Sequence, residues 1–196
     1  MDKWTAIKES IDGSPKNIAV LPANADSAAK ALKAYQIPAE STLGIVLVNS
    51  GGITVEDRLR IYGAGEVDIC ERNETYRSGA LVVAEDIFGG LFFFGDDGKI
   101  MYFAPDTLDP EETELSYSQF LFWTFTGDTD EFFSAFSYTG WKDDAKALSH
   151  NEGISFYPPL WTKEGKDPEK NSRKAIPMRE IVGIELETRK QLENHG

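Results

Sequence analysis

The chain has 196 residues, 33 acidic against 20 basic side chains, and a formal net charge of -13. This charge disfavours direct binding to nucleic acid or to an anionic membrane surface, because both would repel the protein. The single cysteine excludes an internal disulfide and a cysteine-based zinc site. The apolar content of 41% is typical of a folded protein, and the length suits one domain. We therefore expect one domain over residues 1–196 that needs no cofactor.

Periodicity and turn residues predict the elements of the fold along the chain. In order, they are a helix over 3–11, a strand over 18–21, a helix from Asn24 or Asp26 to Tyr35, a strand over 53–61, strands over 80–84, 91–94 and 99–103, a helix from Ser116 or Ser118 to Phe125, a helix capped by Asp128, a helix over 143–149, a strand over 153–157, a charged loop over 164–174, and a final helix over 178–192 that follows Pro177.

The segment 43–48 fits two interpretations. Its β-branched residues favour a strand, whereas Ser41 as an N-cap and an apolar stripe through Leu43, Val46 and Leu47 favour a helix. Propensity alone favours the strand.

The clearest extended pattern covers residues 80–103. Three short apolar runs are joined by Gly89-Gly90 and by Asp96-Asp97-Gly98, a sequence typical of a hairpin turn. Sequential strands with tight connections form an antiparallel meander. Because helices follow and no linker divides the chain, we predict an α+β fold with a mainly antiparallel sheet flanked by helices.

The N-terminus carries no signal-peptide pattern, since Lys8 and Glu9 interrupt its apolar residues. The longest apolar runs fall well short of the about 20 residues that cross a membrane. We therefore expect a cytoplasmic protein with Cys70 as a reduced, packed thiol.

Residues with the chemistry of a metal or catalytic site are sparse. His150 and His195 stand apart from each other and from Cys70, whereas zinc sites usually need three or four clustered ligands. No phosphate-binding glycine loop or serine-nucleophile elbow occurs. The sequence predicts no metal site and no catalytic residue, and it leans against an enzyme without deciding the question.

The excess negative charge is concentrated in the middle of the chain. Residues 78–141 hold 12 acids and one base, Lys99, while the segments on either side are close to neutral. The stretch 100–141 also holds 12 of the 23 aromatic residues. The helical spacing of the aromatics favours a place in the core. The acids fit either helix caps and a solvated loop over 106–114, or a negative surface for a basic partner.

Several strings resemble an uncharacterised bacterial family, a domain of unknown function. They include 81–94, Tyr-Phe-Ala-Pro-Asp at 102–106, 117–123, and Phe-Tyr-Pro-Pro-Leu-Trp at 156–161. The order of elements is more remotely similar to the SUKH superfamily. That resemblance implies a helix at 41–48, and it implies an immunity-type protein that neutralises basic toxins without catalytic residues.

The leading hypothesis is a non-enzymatic protein-binding module whose acidic face binds a basic, toxin-like protein. Its predicted contact residues are Asp86, Asp96, Asp97, Asp106, Asp109, Glu111, Glu112 and Glu114, with Trp161 as an aromatic anchor. The alternative is a small-molecule binder or hydrolase, in which two or three of these acids converge in a cleft beside Trp123, Trp141 or Trp161. The sequence leaves the oligomeric state open.

Overall fold

Seven strands form one antiparallel sheet in which the spatial order is the chain order, in a computed structural model that describes residues 2–195. They are β1 (Ile18–Val20), β2 (Ile53–Val55), β3 (Leu59–Ile61), β4 (Val82–Asp86), β5 (Leu91–Phe94), β6 (Ile100–Phe103) and β7 (Pro110–Glu112). A separate antiparallel pair consists of β8 (Glu152–Tyr157) and β9 (Ser172–Pro177). The predicted meander and the α+β fold class are confirmed.

Eight helices accompany the strands within the described residues. They are α1 (Lys3–Asp12), α2 (Ala25–Ala34), α3 (Thr42–Asn49), α4 (Ile69–Tyr76), α5 (Tyr117–Thr126), α6 (Thr129–Phe132), α7 (Trp141–Ala147) and α8 (Met178–His195). Six begin at an Asp, Asn or Ser whose side chain accepts a backbone N–H of the first turn. Over residues 2–195, none of the helices has the length and apolarity needed to cross a membrane.

The ambiguous segment 43–48 lies in helix α3. Ser41 caps the helix by accepting the N–H of Gly44, and Leu43, Val46 and Leu47 are buried. Gly44 lies so close to Pro38 that a Cβ atom would stand 2.2 Å from the Pro38 carbonyl oxygen. Burial of one helical face and this close approach outweigh the preference of β-branched residues for strands, so propensity alone was wrong here.

Three elements lack a recognisable sequence pattern. The buried side of α4 includes Arg72 and Tyr76, which hides its apolar stripe. Strand β7 consists of Pro-Glu-Glu and is held by its pairing with β6. Strand β9 begins inside the segment 164–174, which was predicted to be a loop. In each case long-range contacts, rather than local preference, determine the structure.

The helices and the sheet enclose one continuous apolar core. Helices α1, α3 and α5 contact one another, while α8 contacts α4, β8 and β9. Most aromatic residues between 100 and 141 lie in this core, as their spacing predicts; Phe92, for example, contacts the rings of Tyr102, Phe120 and Phe133. Cys70 is also buried as a free thiol.

Candidate functional site

Seven of the predicted contact residues lie around the last strand of the sheet. We call this set the acidic edge: Asp96, Asp97, Asp106, Asp109, Glu111, Glu112 and Glu114. Strand β7 is the edge strand, and its register pairs Glu112 with Met101 of β6. This register places the end of β7 beside the β5–β6 turn that carries Asp96 and Asp97. Six of the seven side chains are exposed, and Asp106 is half-buried.

A groove of about 480 Å³ runs along the acidic edge. Its floor includes Phe93, Phe94 and Met101, and its acidic lining residues are Asp96, Asp97, Glu112 and Glu114. Lys99 also lines it, and the Lys99 ammonium pairs with the Glu114 carboxylate and lies 4.0 Å from that of Asp97. The hydrogen bond to Glu114 raises the pKa of Lys99 and lowers the pKa of Glu114. The groove thus accommodates an ammonium group between carboxylates.

The other end of the acidic edge contacts helix α8. The Arg189 guanidinium lies 2.6 Å from the Asp109 carboxylate and also donates to the Leu108 carbonyl. Partial burial raises the pKa of Glu111, and the neighbouring carboxylates of Asp106 and Asp109 add to this effect. This end is therefore partly neutralised, while the β5–β6 turn end is the more open to an external cation.

Asp86 does not belong to this surface, although it was predicted to. It is fully buried at the end of β4, where its carboxylate accepts the Tyr102 hydroxyl at 2.7 Å and the backbone N–H groups of Phe88 at 2.8 Å and Gly90 at 3.2 Å. Burial raises the pKa of Asp86 to about 6 against these hydrogen bonds. The tight turn after β4 supplies donors inside the core, so this acid stabilises a turn instead of facing a partner.

Glu85, the residue before Asp86, points to the opposite face of the sheet. Its carboxylate accepts the hydroxyls of Tyr62 at 2.8 Å and Tyr76 at 2.5 Å, and it lies 3.5 Å from the guanidinium groups of Arg60 and Arg72. Glu85 is fully buried, and burial raises the pKa of both tyrosines. No pattern in the sequence indicated this cluster, in which one carboxylate compensates two buried cations.

Two of the three candidate cleft tryptophans are structural. Trp141 stacks on the Arg58 guanidinium at 4.5 Å, and Phe133 lies on the same guanidinium at 4.6 Å. The Arg58 side chain also donates to the Asp130 carboxylate at 2.8 Å. Trp123 packs against the rings of the aromatic core, including Phe132 at a centroid distance of 5.0 Å. Both rings therefore make packing contacts within the described residues.

Trp161 lies apart from the acidic groove. It is half-buried and lines a cavity of about 210 Å³ formed by the β4–β5 turn, β8, the segment 159–161 and α8. The apolar lining includes Phe88, Phe156 and Ile181, and the charged lining residue is Glu185. No acid from the predicted set lines this cavity, so these acids do not converge beside Trp161 as the hydrolase alternative requires.

Glu185 was also missed by the sequence analysis. Its side chain continues the buried stripe formed by Met178, Ile181 and Val182 on α8. A carboxyl group at the buried position of an amphipathic helix is unusual, since acids are mostly exposed. Helical periodicity alone could therefore have identified Glu185 as a residue with a special environment. Within residues 2–195, no group of three or more His, Cys, Asp or Glu side chains is arranged to hold a metal ion.

Comparison with known sequences places the chain in a family. The model of a family described as a protein of unknown function, DUF2625, matches residues 2–181. The chain belongs to the DUF2625 family. This confirms the predicted resemblance to a bacterial domain of unknown function, and the match includes the whole acidic edge as well as Trp161.

Two bacterial proteins are similar to this DUF2625 chain over most of its length. An uncharacterised Escherichia coli (strain K12) protein, YbfG, is 33% identical over 192 residues, which cover 91% of this chain and 88% of that protein. An uncharacterised Haemophilus influenzae protein is 29% identical over 175 residues, which cover 80% of this chain and 77% of that protein. No solved structure shows a significant match.

Proposed function

We propose that this DUF2625 protein is a cytoplasmic binding module that acts by presenting its acidic edge to a basic protein. The observation that carries the proposal is the groove beside β7, in which exposed carboxylates surround an apolar floor. Charged groups steer a partner and fix its orientation, while apolar side chains supply contact area. The SUKH resemblance suggests a basic toxin as the partner and immunity as the biological role.

The position of Lys99 supports a basic partner rather than an acidic or neutral one. Its ammonium already occupies a place between Glu114 and Asp97, so the groove has the geometry to receive a lysine side chain. Asp96 and Glu112 line the same groove, and no ion pair joins either of them to a basic group among the described residues. These two carboxylates are available to a partner's lysine or arginine.

The acidic edge also has a purely structural interpretation. Pro110 and the two glutamates of β7 are residue types that protect an edge strand against pairing with another chain. That role requires charge along the strand only. Asp97 also has a structural role, since its carboxylate accepts the Lys99 backbone N–H in the hairpin turn. Neither role accounts for Asp96, which lines the same groove, and this position favours partner binding.

The test reverses charge in the groove and compares it with an equal reversal elsewhere. The double variant Asp96→Lys/Glu112→Lys alters the groove, and Asp143→Lys/Glu164→Lys alters two exposed acids outside it. Both variants change the net charge by the same amount. The probe is a synthetic peptide of alternating lysine and leucine, titrated by fluorescence anisotropy at low salt.

We expect the groove variant to weaken peptide binding about tenfold or more, and the control variant to weaken it far less. The affinity of the wild-type protein should fall as salt is raised, since rim charges are screened. Equal losses in the two variants would show that only the total charge matters. The proposal would then be withdrawn, as it would if the wild-type protein did not bind the peptide.

A further inference from the structure

The cavity lined by Trp161 is enclosed by apolar and aromatic side chains. Phe88 and Phe156 lie in mutual contact at a ring-centroid distance of 5.9 Å on its wall. Tyr157 and Ile184 are exposed large side chains that also line it, so its mouth opens to solvent. Its volume of about 210 Å³ exceeds the roughly 150 Å³ of an apolar cavity that holds benzene. The cavity is therefore large enough for a single-ring ligand.

Glu185 is a polar lining residue without a partner. The residue is 2% exposed, its Oε2 atom is buried without a hydrogen bond, and no ion pair joins it to a basic side chain among the described residues. An unpartnered buried carboxylate costs several kcal/mol, which proteins rarely tolerate without compensation. The position of this group is a reason to expect a ligand that completes its interactions.

The turn after β4 is shaped around the same carboxyl group. Gly89 has a φ of +108°, and a Cβ atom there would stand 2.4 Å from Glu185 Oε1. The backbone therefore approaches the carboxyl group more closely than any other residue type allows. Behind this turn lies the Asp86 carboxylate, whose charge, together with burial, raises the pKa of Glu185. Both effects favour the protonated form of Glu185 in the free protein.

We propose that this cavity binds a small aralkylamine, with the aromatic ring between Trp161, Phe88 and Phe156 and the ammonium group paired with the Glu185 carboxylate. Aromatic faces attract cations and a carboxylate neutralises them, so a protonated amine gains from both parts of the lining. The net charge of -13 also raises the local concentration of cations. A neutral alcohol of the same shape gains from the apolar walls and from one hydrogen bond to the protonated carboxyl group, but it forms no ion pair.

The inference predicts a proton release that a neutral ligand does not cause. Pairing with an ammonium group ionises Glu185, and its proton passes to the buffer while the amine keeps its own charge. Asp86 is the other carboxylate that acts on Glu185. We would titrate the protein with 2-phenylethylamine and with 2-phenylethanol by isothermal calorimetry at pH 7, in two buffers with different ionisation enthalpies.

We expect the amine to bind about tenfold or more tightly than the alcohol and to release protons to the buffer, since the pKa of Glu185 is raised in the free protein and the ion pair requires its carboxylate. The variant Glu185→Gln should lose this preference and the proton release, whereas Glu187→Gln, an exposed acid on the same helix, should keep both. The variant Ile184→Trp, which fills the exposed mouth, should weaken both ligands. This last variant guards against a folding defect at position 185, since Ile184 is 53% exposed.

Equal affinity for amine and alcohol, amine binding without proton release, or unchanged amine binding by Glu185→Gln would each overturn the inference. Failure of both ligands to bind at millimolar concentration would do the same. The experiment does not involve the acidic edge, so its outcome is independent of the proposed protein partner.

Discussion

Replacement of Glu85 by glutamine tests whether the buried cluster around this residue stabilises the fold. The wild-type carboxylate is fully buried, accepts two phenolic hydroxyls and faces two guanidinium groups at 3.5 Å. Glutamine has nearly the same shape, so the change removes the negative charge without leaving a cavity. Both tyrosines donate to the same oxygen, Oε2, so a glutamine carbonyl oxygen in its place can still accept both hydroxyls, and the change isolates the loss of charge.

The expected loss follows from the charges that remain. Arg60 and Arg72 would keep one backbone acceptor each, the carbonyls of Ser149 at 3.1 Å and His150 at 2.5 Å, but both would lose the carboxylate with which they form an ion pair. Breaking a buried ion pair by removing one partner costs about 3–5 kcal/mol. Because two cations share this carboxylate, we expect Glu85→Gln to lower the free energy of unfolding by an amount within or above that range. This would be a large fraction of the about 5–15 kcal/mol that stabilises a typical domain.

The measurement is urea unfolding at pH 7, followed by tryptophan fluorescence. Glu9→Gln, an exposed acid on α1 away from the cluster, serves as the control and should change the free energy of unfolding by less than about 0.5 kcal/mol. Combining Glu85→Gln with Arg60→Gln should cost less than the sum of the two single changes, since both remove the same ion pair. A loss below about 1 kcal/mol for Glu85→Gln would refute the reasoning, because it would mean that the guanidinium groups find solvent.

Three further predictions concern the turn after β4 and the stacked arginine. Asp86 has a pKa of about 6 when folded and about 3.8 when unfolded, so its ionisation destabilises the protein as pH rises through this range. The free energy of unfolding in urea should therefore rise for Asp86→Asn, relative to the wild-type protein, by about 3 kcal/mol between pH 3 and pH 7. If the difference between the two free energies did not change with pH, it would contradict the buried environment of Asp86. Gly89→Ala should lower the free energy of unfolding by about 1–3 kcal/mol, because residue 89 has a positive φ. The double variant Gly89→Ala/Glu185→Ala should regain part of this stability, since the second change removes the carboxyl group that the new Cβ atom would meet. If no stability were regained, this would argue against their contact. Arg58→Lys should lower the free energy of unfolding by about 2 kcal/mol, since lysine cannot stack on Trp141 as a planar group; an unchanged unfolding midpoint would show that the stacking contributes little.

Local signals in the sequence were sufficient for many elements of the fold. Asp96-Asp97-Gly98 does form the β5–β6 turn, where Gly98 has a φ of +78°. Ser116 caps α5 through a capping box with Gln119. These features depend on neighbouring residues in the chain, so they can be predicted without knowledge of the tertiary structure.

Features that depend on distant contacts could not be predicted in the same way. The helical state of α3 depends on burial against other helices, and β7 depends on its pairing with β6. At the candidate sites, the excess of acids over residues 78–141 suggested exposed acids, and Glu112 is indeed exposed. The same argument placed Asp86 at the surface, since charge composition contains no information about the donors of the following turn. Glu185 could have been identified only by treating its position on the apolar stripe as a signal in itself.

The agreement between strand order and chain order has a consequence for how the protein is made. Every strand of the large sheet pairs with the one synthesised before it, so the sheet can be completed once Glu112 has left the ribosome. Pairing between neighbours in the chain also keeps the entropy cost of loop closure low. Strand β8 and helix α8 emerge last and supply one wall of the Trp161 cavity. The cavity and its carboxyl group therefore form only after the large sheet is complete, so a chain that stops after β7 would contain the sheet without the cavity.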